Sequence, residues 1–372
     1  MRFARIDQSP VARWWWTVDR WTLLALATLI GFGVVLSFAA SPAVAERIGY
    51  DAMHFARRHL VMVPIALATM FAVSLQTPRN VRRIAVIGFA ISVALLAMTF
   101  VIGLEIKGAR RWINLPGLSL QPSEFVKPTF IVVAAWLFAE QKRDPHFPGQ
   151  LISAGLLILV VGMLIKQPDL GMAVVVSGVW FAQLFMAGLR LYWVAAGGIA
   201  GLAGLVGAYL WLPHVTSRIN RFLDPAAGDS YQVNRSIEAF VNGGWLGRGP
   251  GEGRIKDVLP DAHADFVFAV AGEEFGLVIC LMLVGLFGFI VLRGFSRLLQ
   301  ESNLFVLLAA TGLLIQFGLQ AVINMASSLH LIPTKGMTLP FLSYGGSSML
   351  ALGLGMGMVL ALTRRRLGGS EL

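Results

Sequence analysis

Apolar runs of about 20 residues recur along the whole chain, and they constrain its fold more than any other feature. An α-helix of that length and composition is what is needed to cross the hydrocarbon core of a bilayer. Only 13% of the 372 residues are charged, whereas soluble globular domains usually contain about a quarter. The sequence therefore predicts an all-α polytopic membrane protein and excludes a soluble α/β enzyme.

Ten spans account for these runs, with one long hydrophilic loop over 213–265 between the seventh and the eighth. The predicted spans are 21–40, 59–76, 83–104, 125–141, 151–166, 170–188, 191–212, 266–292, 303–325 and 345–363. We expect tails over 1–20 and 364–372 to flank a single membrane domain over 21–363. Because ten is an even number, both tails lie on the same side.

Basic residues place both tails in the cytoplasm by the positive-inside rule. They include Arg2, Arg5, Arg13, Arg20, Arg364, Arg365 and Arg366. The outer loops hold almost as many basic residues, including Lys107, Arg110, Arg111, Arg218, Arg221, Arg248, Arg254, Lys256 and Lys335. Either these outer charges bind an anionic ligand, or the balance of charge between the loops varies without any functional reason.

Carboxylates mark the junction between the long loop and the eighth span, from Asp257 to Glu274. Ionised side chains at such a position are costly in lipid, so they indicate function by default. Asp265 is our candidate for the residue that performs the chemistry. The alternative is that Asp265 only caps the eighth span, with its carboxylate on free amide groups.

Two more polar clusters lie where predicted spans begin, on the predicted outer side. Gln121, Glu124 and Lys127 begin the fourth span, and the last two share a helix face, so they form either an internal ion pair or part of a ligand site. Asp169 stands just ahead of the sixth span, where a helix cap or a packing ion pair is favoured over catalysis.

A further polar segment, 331–348, carries Lys335 and Ser343 together with two prolines and three glycines. Irregular backbone near membrane depth is tolerated only when it is buried in protein or lines a wet cavity. Ser343 lacks the surroundings of an activated serine nucleophile. The segment therefore indicates a polar cavity, without acyl-enzyme chemistry.

The glycine-rich stretch 243–253 favours a flexible loop over a phosphate cradle, because no strand precedes it and no helix follows it as in a nucleotide fold. Cys280 is the only cysteine, and the histidines have no metal-ligand spacing, so a structural zinc site is not expected. A hard divalent cation that bridges carboxylates and a phosphate stays open, because such an ion needs few protein ligands.

Five short motifs occur in one order along the chain, and together they resemble the SEDS family of bacterial cell-wall glycosyltransferases. They are Lys107–Ile113, Gln121–Glu124, Pro168–Gly171, Leu259–Phe266 and Ser343–Gly346. Pro333–Pro340 and Gly247–Gly253 are most similar to the cell-division branch, with the elongation branch second. Ala264 stands where the family usually has Thr, a change that leaves the site intact.

The resemblance implies a peptidoglycan glycosyltransferase that polymerises lipid II at the outer face of the cytoplasmic membrane, at the division septum. Asp265 would be the general base. The implied substrate-binding residues are Arg110, Arg111, Trp112, Gln121, Glu124, Lys127, His263, Lys335 and Ser343. Asp169, Asp257 and Glu274 would have structural or regulatory roles.

The resemblance also implies partners: lipid II, undecaprenyl diphosphate, a class B penicillin-binding protein transpeptidase and other division proteins. A divalent cation, Mg²⁺ or Mn²⁺, is the cofactor to consider, and no organic cofactor or nucleic acid is expected. The alternatives are a lipid II flippase, the elongation role and a non-catalytic division scaffold. The charge lies on one side instead of along a midplane path, which argues against a transporter.

Overall fold

The structure is a computed structural model that describes residues 9–106, 109–115, 118–188, 190–223, 231–333 and 336–365. Its first eight helices are α1 (Pro10–Thr17), α2 (Arg20–Arg47), α3 (His54–Ser74), α4 (Pro78–Ile102), α5 (Pro122–Arg143), α6 (Gly149–Lys166), α7 (Leu170–Met186) and α8 (Leu191–Trp211). The others are α9 (Pro213–Leu223), α10 (Tyr231–Gly243), α11 (Val267–Leu298), α12 (Leu304–Ser328) and α13 (Gly346–Leu362).

Seven of these helices are long and apolar enough to cross a membrane, namely α2, α3, α4, α5, α6, α11 and α12. The three shorter apolar helices, α7, α8 and α13, coincide with the remaining predicted spans. The prediction of a mostly helical, polytopic membrane protein is therefore confirmed. The helix ends lie up to about seven residues from the predicted boundaries, because polar and charged residues beyond the apolar runs, such as Arg47 of α2 and Arg143 of α5, continue the helices.

Helix α5 lies at the centre of the bundle and is in contact with α4, α6, α7, α12 and α13. Most of its residues are buried, and they include the charged side chains of Glu124 and Lys127. Helix α13 packs along α3 and also against α12. Polar side chains therefore enter the core on central helices, where partners are available and lipid is excluded.

A small antiparallel sheet corrects the all-α expectation. Its strands are β1 (Leu104–Ile106), β2 (Ala109–Leu115) and β3 (Leu118–Leu120), with β2 in the middle. Ile113 pairs with Leu120 and Asn114 pairs with Ser119. Strands of three residues leave too short a pattern to be seen in a sequence, and an apolar run that ends at Leu104 hides the first of them.

The long segment between the seventh and eighth predicted spans is more ordered than a flexible loop over its described parts, 213–223 and 231–265. It contains α9, α10 and a 3₁₀ turn at Ile255–Asp257. Its glycine-rich stretch packs against α11, where a Cβ on Gly243 would lie 1.9 Å from the carbonyl oxygen of Gly272. Glycine is required by this close approach and not for flexibility, so the flexible-loop interpretation was wrong for this stretch.

Helix α11 is interrupted at Gly276, whose φ of 77° is left-handed. The glycine-rich stretch completes the hydrogen bonds that this break leaves open. The amides of Arg248 and Gly249 donate to the carbonyls of Glu273 and Glu274 at 2.9 and 3.0 Å. Below the break, the amides of Leu277 and Val278 donate to the carbonyls of Gly244 and Trp245.

Two buried glutamates strengthen this attachment. The Glu273 carboxylate accepts hydrogen bonds from the amides of Arg254, Ile255 and Lys256 at 2.8, 2.9 and 3.3 Å. The Glu274 carboxylate pairs with the Lys256 ammonium at 2.5 Å. The predicted structural role of Glu274 agrees with this position, and the first part of α11 is thereby fixed to the loop.

We expect Gly247→Ala to destabilise the protein by more than about 1 kcal/mol. Gly247 has a φ of 81°, and an added Cβ would lie 2.2 Å from the carbonyl oxygen of Glu274. Thermal unfolding in detergent micelles measures the effect. Gly285→Ala is the matched control, because an added methyl group there meets nothing within 4 Å in a helix. Equal melting temperatures for the two variants would contradict the packing described.

Candidate active site

A cavity of about 570 Å³ lies where the sheet, α3, the segment before α11 and the segment before α13 meet. Its lining combines charged, polar and aromatic groups with two apolar residues of α3. The lining residues are Arg57, Arg58, Val61, Met62, Trp112, Asn114, Ser119, Gln121, Glu124, His263, Ala264, Asp265, Gly336, Thr338, Tyr344, Gly345, Gly346 and Ser348. Concave sites with a few convergent polar groups are the default candidates for substrate binding.

Asp265 lies in this cavity, on the turn that leads into α11. The amide of Asp265 donates to the carbonyl of Asp261 at 3.0 Å, and the side-chain amide of Asn324 donates to the carbonyl of Asp265 at 2.9 Å. Phe266, not Asp265, occupies the N-cap position of α11. The alternative that Asp265 is the cap of this helix was therefore wrong.

The segment before α13 forms the wall beside Asp265. Gly336 has a φ of 61°, and a Cβ added there would lie 3.4 Å from Oδ2 of Asp265. The same Asn324 side chain donates to the carbonyl of Met337 at 2.6 Å. One buried amide of α12 therefore ties both backbone segments together and sets the position of Asp265 relative to this wall.

Glu124 and Lys127 form the ion pair that their spacing predicts. Nζ of Lys127 lies 2.8 Å from Glu124 and 3.0 Å from Oε1 of Gln320. Gln320 donates in turn to the carbonyl of Thr338 at 3.0 Å, and Thr338 shares a hydrogen bond with Ser348 at 2.7 Å. Glu124 lines the cavity, whereas Lys127 is 1% exposed and supports it from below.

The sheet brings the predicted residue Trp112 and the unpredicted Asn114 to the cavity, and it directs the predicted Arg111 away from it. Side chains alternate between the two faces of a strand, so Trp112 and Asn114 share one face of β2 and Arg111 lies on the other. Arg111 donates to the carbonyls of Gln167 and Pro168 and lies 3.8 Å from Asp169. Its guanidinium therefore joins the sheet to the turn between α6 and α7.

Asp169 caps α7, as its position in the sequence predicts. Its carboxylate accepts a hydrogen bond from the amide of Met172 at 3.3 Å. Arg110 pairs with Glu105 of the neighbouring strand at 3.3 Å, and both side chains are exposed. Neither Arg110 nor Arg111 lines the cavity with Asp265, so their prediction as substrate ligands gains no support from this arrangement.

The remaining predicted residues divide between the cavity and its supports. Gln121 and His263 line the cavity. Ser343 is buried behind it, where its hydroxyl accepts a hydrogen bond from the amide of Leu339 at 2.7 Å. Asp257 is exposed in the 3₁₀ turn. Lys335 lies outside the described residues.

His263 belongs to a group of rings beside Asp265. It stacks on Phe55 with ring centroids 4.2 Å apart, and Tyr344 lies 5.5 Å away. Burial lowers the pKa of His263 to about 4, while Asp261 raises it and Arg47 lowers it further. The imidazole is therefore neutral at physiological pH and contributes a flat polar surface instead of a charge.

We expect His263 to make the protein less stable in mild acid. The unfolded chain takes up the histidine proton near pH 6.5 and the folded protein only near pH 4, so this group lowers stability as pH falls between those values. Melting temperatures from pH 7 to pH 5 should fall more steeply for wild type than for His263→Phe. Identical pH dependence would contradict the buried neutral imidazole.

Sequence reasoning missed Arg57, Arg58 and Tyr344, all of which line the cavity. The arginine pair just before the second predicted span was a usable signal, since that end of the span lies on the same side of the bundle as Asp265. Tyr344 belongs to the Ser343–Gly346 motif, but only the packing of its ring beside Phe55 and His263 directs it to the cavity.

Comparisons with known proteins agree with this arrangement. The family model of the FtsW, RodA and SpoVE cell cycle proteins matches residues 20–367. A protein of Caulobacter vibrioides named "Probable peptidoglycan glycosyltransferase FtsW" is 45% identical, covering 98% of this chain and 94% of its own length. A Coxiella burnetii protein of the same name is 36% identical, covering 93% and 96%.

Solved structures show the same fold. A chain of a peptidoglycan synthase complex, described as coordinating polymerization and crosslinking, superposes with a TM-score of 0.76 at 29% identity, covering 93% of this chain and 97% of that one. The rod shape determining protein RodA of Thermus thermophilus gives 0.69 at 28% identity, covering 94% and 97%. These coverages leave no large part of the chain without a counterpart.

Proposed function

The chain belongs to the family of FtsW, RodA and SpoVE cell cycle proteins, and on that premise we propose that it is a peptidoglycan glycosyltransferase of cell division. It polymerises lipid II into β-1,4-linked glycan strands. Curated relatives that match nearly the whole chain carry the name of this activity. The chain is an integral membrane protein, which suits a substrate with a lipid tail.

The observation that carries the proposal is Asp265 in a cavity lined by polar and aromatic groups. A sugar hydroxyl is a poor nucleophile, and a positioned carboxylate assists it by accepting its proton. We assign that role to Asp265. The 4-hydroxyl of one N-acetylglucosamine attacks the anomeric carbon of the N-acetylmuramic acid that ends the growing strand.

Bonds and charges balance in this step without any redox partner. The new bond joins the attacking oxygen to the anomeric carbon, the bond from that carbon to the diphosphate breaks, and the proton moves to Asp265. Undecaprenyl diphosphate leaves with the electron pair. Trp112, Gln121 and Glu124, which line the same cavity, would contact the sugars. Lys335 is retained as a proposed ligand of the diphosphate.

A divalent cation would depend mainly on the substrate for its ligands. Among the described residues, no three His, Cys, Asp or Glu side chains come together to hold a metal ion. Diphosphate oxygens and water would have to complete the coordination of Mg²⁺ or Mn²⁺.

We place ten helices across the membrane, α2 to α8 and α11 to α13, with both termini in the cytoplasm. The cavity then opens on the outer side, and the enzyme acts at the division septum. A class B penicillin-binding protein is the proposed partner that crosslinks the strands. One solved relative comes from a complex described as coordinating polymerization and crosslinking, which supports this pairing.

Fluorescent lipid II tests the proposal against the flippase alternative. The purified protein, with its cognate transpeptidase and a divalent cation, should convert the lipid into glycan strands resolved on a gel. The same protein in sealed vesicles should leave labelled lipid II on its original leaflet. Translocation without strands would replace the proposed function by transport.

A further inference from the structure

Two arginines of α3, Arg57 and Arg58, line the cavity that holds Asp265. They are the only Lys or Arg side chains among the lining residues that the structure describes. The carboxylates of the lining are Glu124 and Asp265. A cationic wall thus faces the same space as the proposed base.

Other basic side chains near the cavity are engaged in structural contacts. Lys127 is held by Glu124 and Gln320. Arg111 is bound by the turn between α6 and α7, and Arg110 pairs with Glu105. None of these three can reach into the cavity without leaving a partner behind.

Arg57 and Arg58, in contrast, are available for a ligand. Arg58 is exposed and makes no hydrogen bond or ion pair within the part of the chain that the structure describes. Arg57 pairs with Asp51 at 3.1 Å, and the two side chains are 71% and 60% exposed. Such a solvent-exposed pair contributes little, because water screens it, so an anion of higher charge can replace Asp51.

The next turn of α3 is apolar and lines the same cavity. Val61 and Met62 follow Arg57 and Arg58 by four residues each, so each apolar side chain lies on the same face as one arginine. Farther from the outer end, Ile65 is also exposed. This order of cation and hydrocarbon along one helix matches a ligand with a phosphate head and an isoprenoid tail.

We infer that Arg57 and Arg58 bind the diphosphate of the lipid-linked substrate and of the departing undecaprenyl diphosphate. This inference rests on the proposed function. Arginine forms paired hydrogen bonds to phosphate oxygens, and it stays charged in a site of low polarity. Negative charge grows on the diphosphate as its bond to the sugar breaks, so fixed cations there lower the barrier.

Binding of undecaprenyl diphosphate to the full chain in phosphatidylcholine nanodiscs tests the inference without any turnover. We expect Arg58→Ala to raise the dissociation constant by about 10-fold to 100-fold, which corresponds to the loss of a hydrogen bond to a charged group. Arg58→Lys should retain part of the affinity. Arg254→Ala, which removes an exposed cation outside the cavity, is the control and should bind as wild type.

Wild-type affinity in both Arg58→Ala and the double variant Arg57→Ala/Arg58→Ala would overturn the inference. Melting temperatures equal to wild type show that a loss of binding does not come from misfolding. A second arm adds phosphatidylglycerol. If this anionic lipid displaces labelled undecaprenyl diphosphate as effectively as the unlabelled compound does, Arg57 and Arg58 form a general site for lipid headgroups and the inference fails.

Lipid II polymerisation by wild type, measured on the same preparation, separates the two proposals. Strand formation together with an unaltered affinity of Arg58→Ala would remove the arginine site and keep the glycosyltransferase. A weakened affinity without strand formation from wild type would keep a lipid diphosphate site and remove the proposed reaction.

Discussion

Asp265→Asn is expected to lower the rate of lipid II polymerisation by about 100-fold to 10,000-fold, the range that a positioned general base contributes. Asparagine is nearly isosteric with aspartate, and it cannot accept the proton of the attacking hydroxyl. The backbone contacts of Asp265 with Asp261 and Asn324 do not involve its carboxylate. The fold should therefore survive while the reaction stops. Initial rates of strand formation measure the effect.

Glu252→Gln is the matched control for this change. Glu252 is an exposed carboxylate of the same segment before α11, and it does not line the cavity. We expect its rate to remain within about twofold of wild type, since a distant surface charge is screened by salt. Comparable losses in both variants would point to a general charge effect and away from a base.

Glu124→Ala is expected to destabilise the protein by about 3–5 kcal/mol, because it leaves a buried ammonium without its counter-ion. Lys127 is 1% exposed, and its ammonium is held by Glu124 and Gln320. Thermal unfolding in detergent micelles measures the loss. The double variant Glu124→Ala/Lys127→Met removes both charges and should recover most of the stability.

A surface pair with the same spacing provides the control. Arg235 and Glu238 are also three residues apart on a helix, but their side chains are 36% and 42% exposed. Glu238→Ala should hardly change the melting temperature, because water solvates the arginine that remains. If Glu124→Ala and Glu238→Ala behaved alike, the Glu124–Lys127 pair would have no special role in the core.

Features that depend on local sequence could be predicted. The spans follow from apolar runs, since crossing a bilayer requires a minimum helix length. The Glu124–Lys127 pair follows from a separation of three residues on a helix. The cap at Asp169 follows from a carboxylate placed directly before a helix.

Features that depend on tertiary contacts could not be predicted. The break at Gly276 is stable because distant residues, among them Gly244 and Arg248, complete its hydrogen bonds. Arg111 lies on the face of β2 away from the cavity because side chains alternate along a strand, and this strand was not predicted from the sequence. Arg57 and Arg58 belong to the cavity only because α3 packs beside α13.

The central claim is that Asp265 performs chemistry and not packing, and one preparation of Asp265→Asn can decide it. Lipid II binding, melting temperature and strand formation are measured side by side with wild type. The account predicts equal melting temperatures, dissociation constants that agree within about twofold, and strands from wild type alone. Strand formation by Asp265→Asn at a rate close to wild type would contradict it.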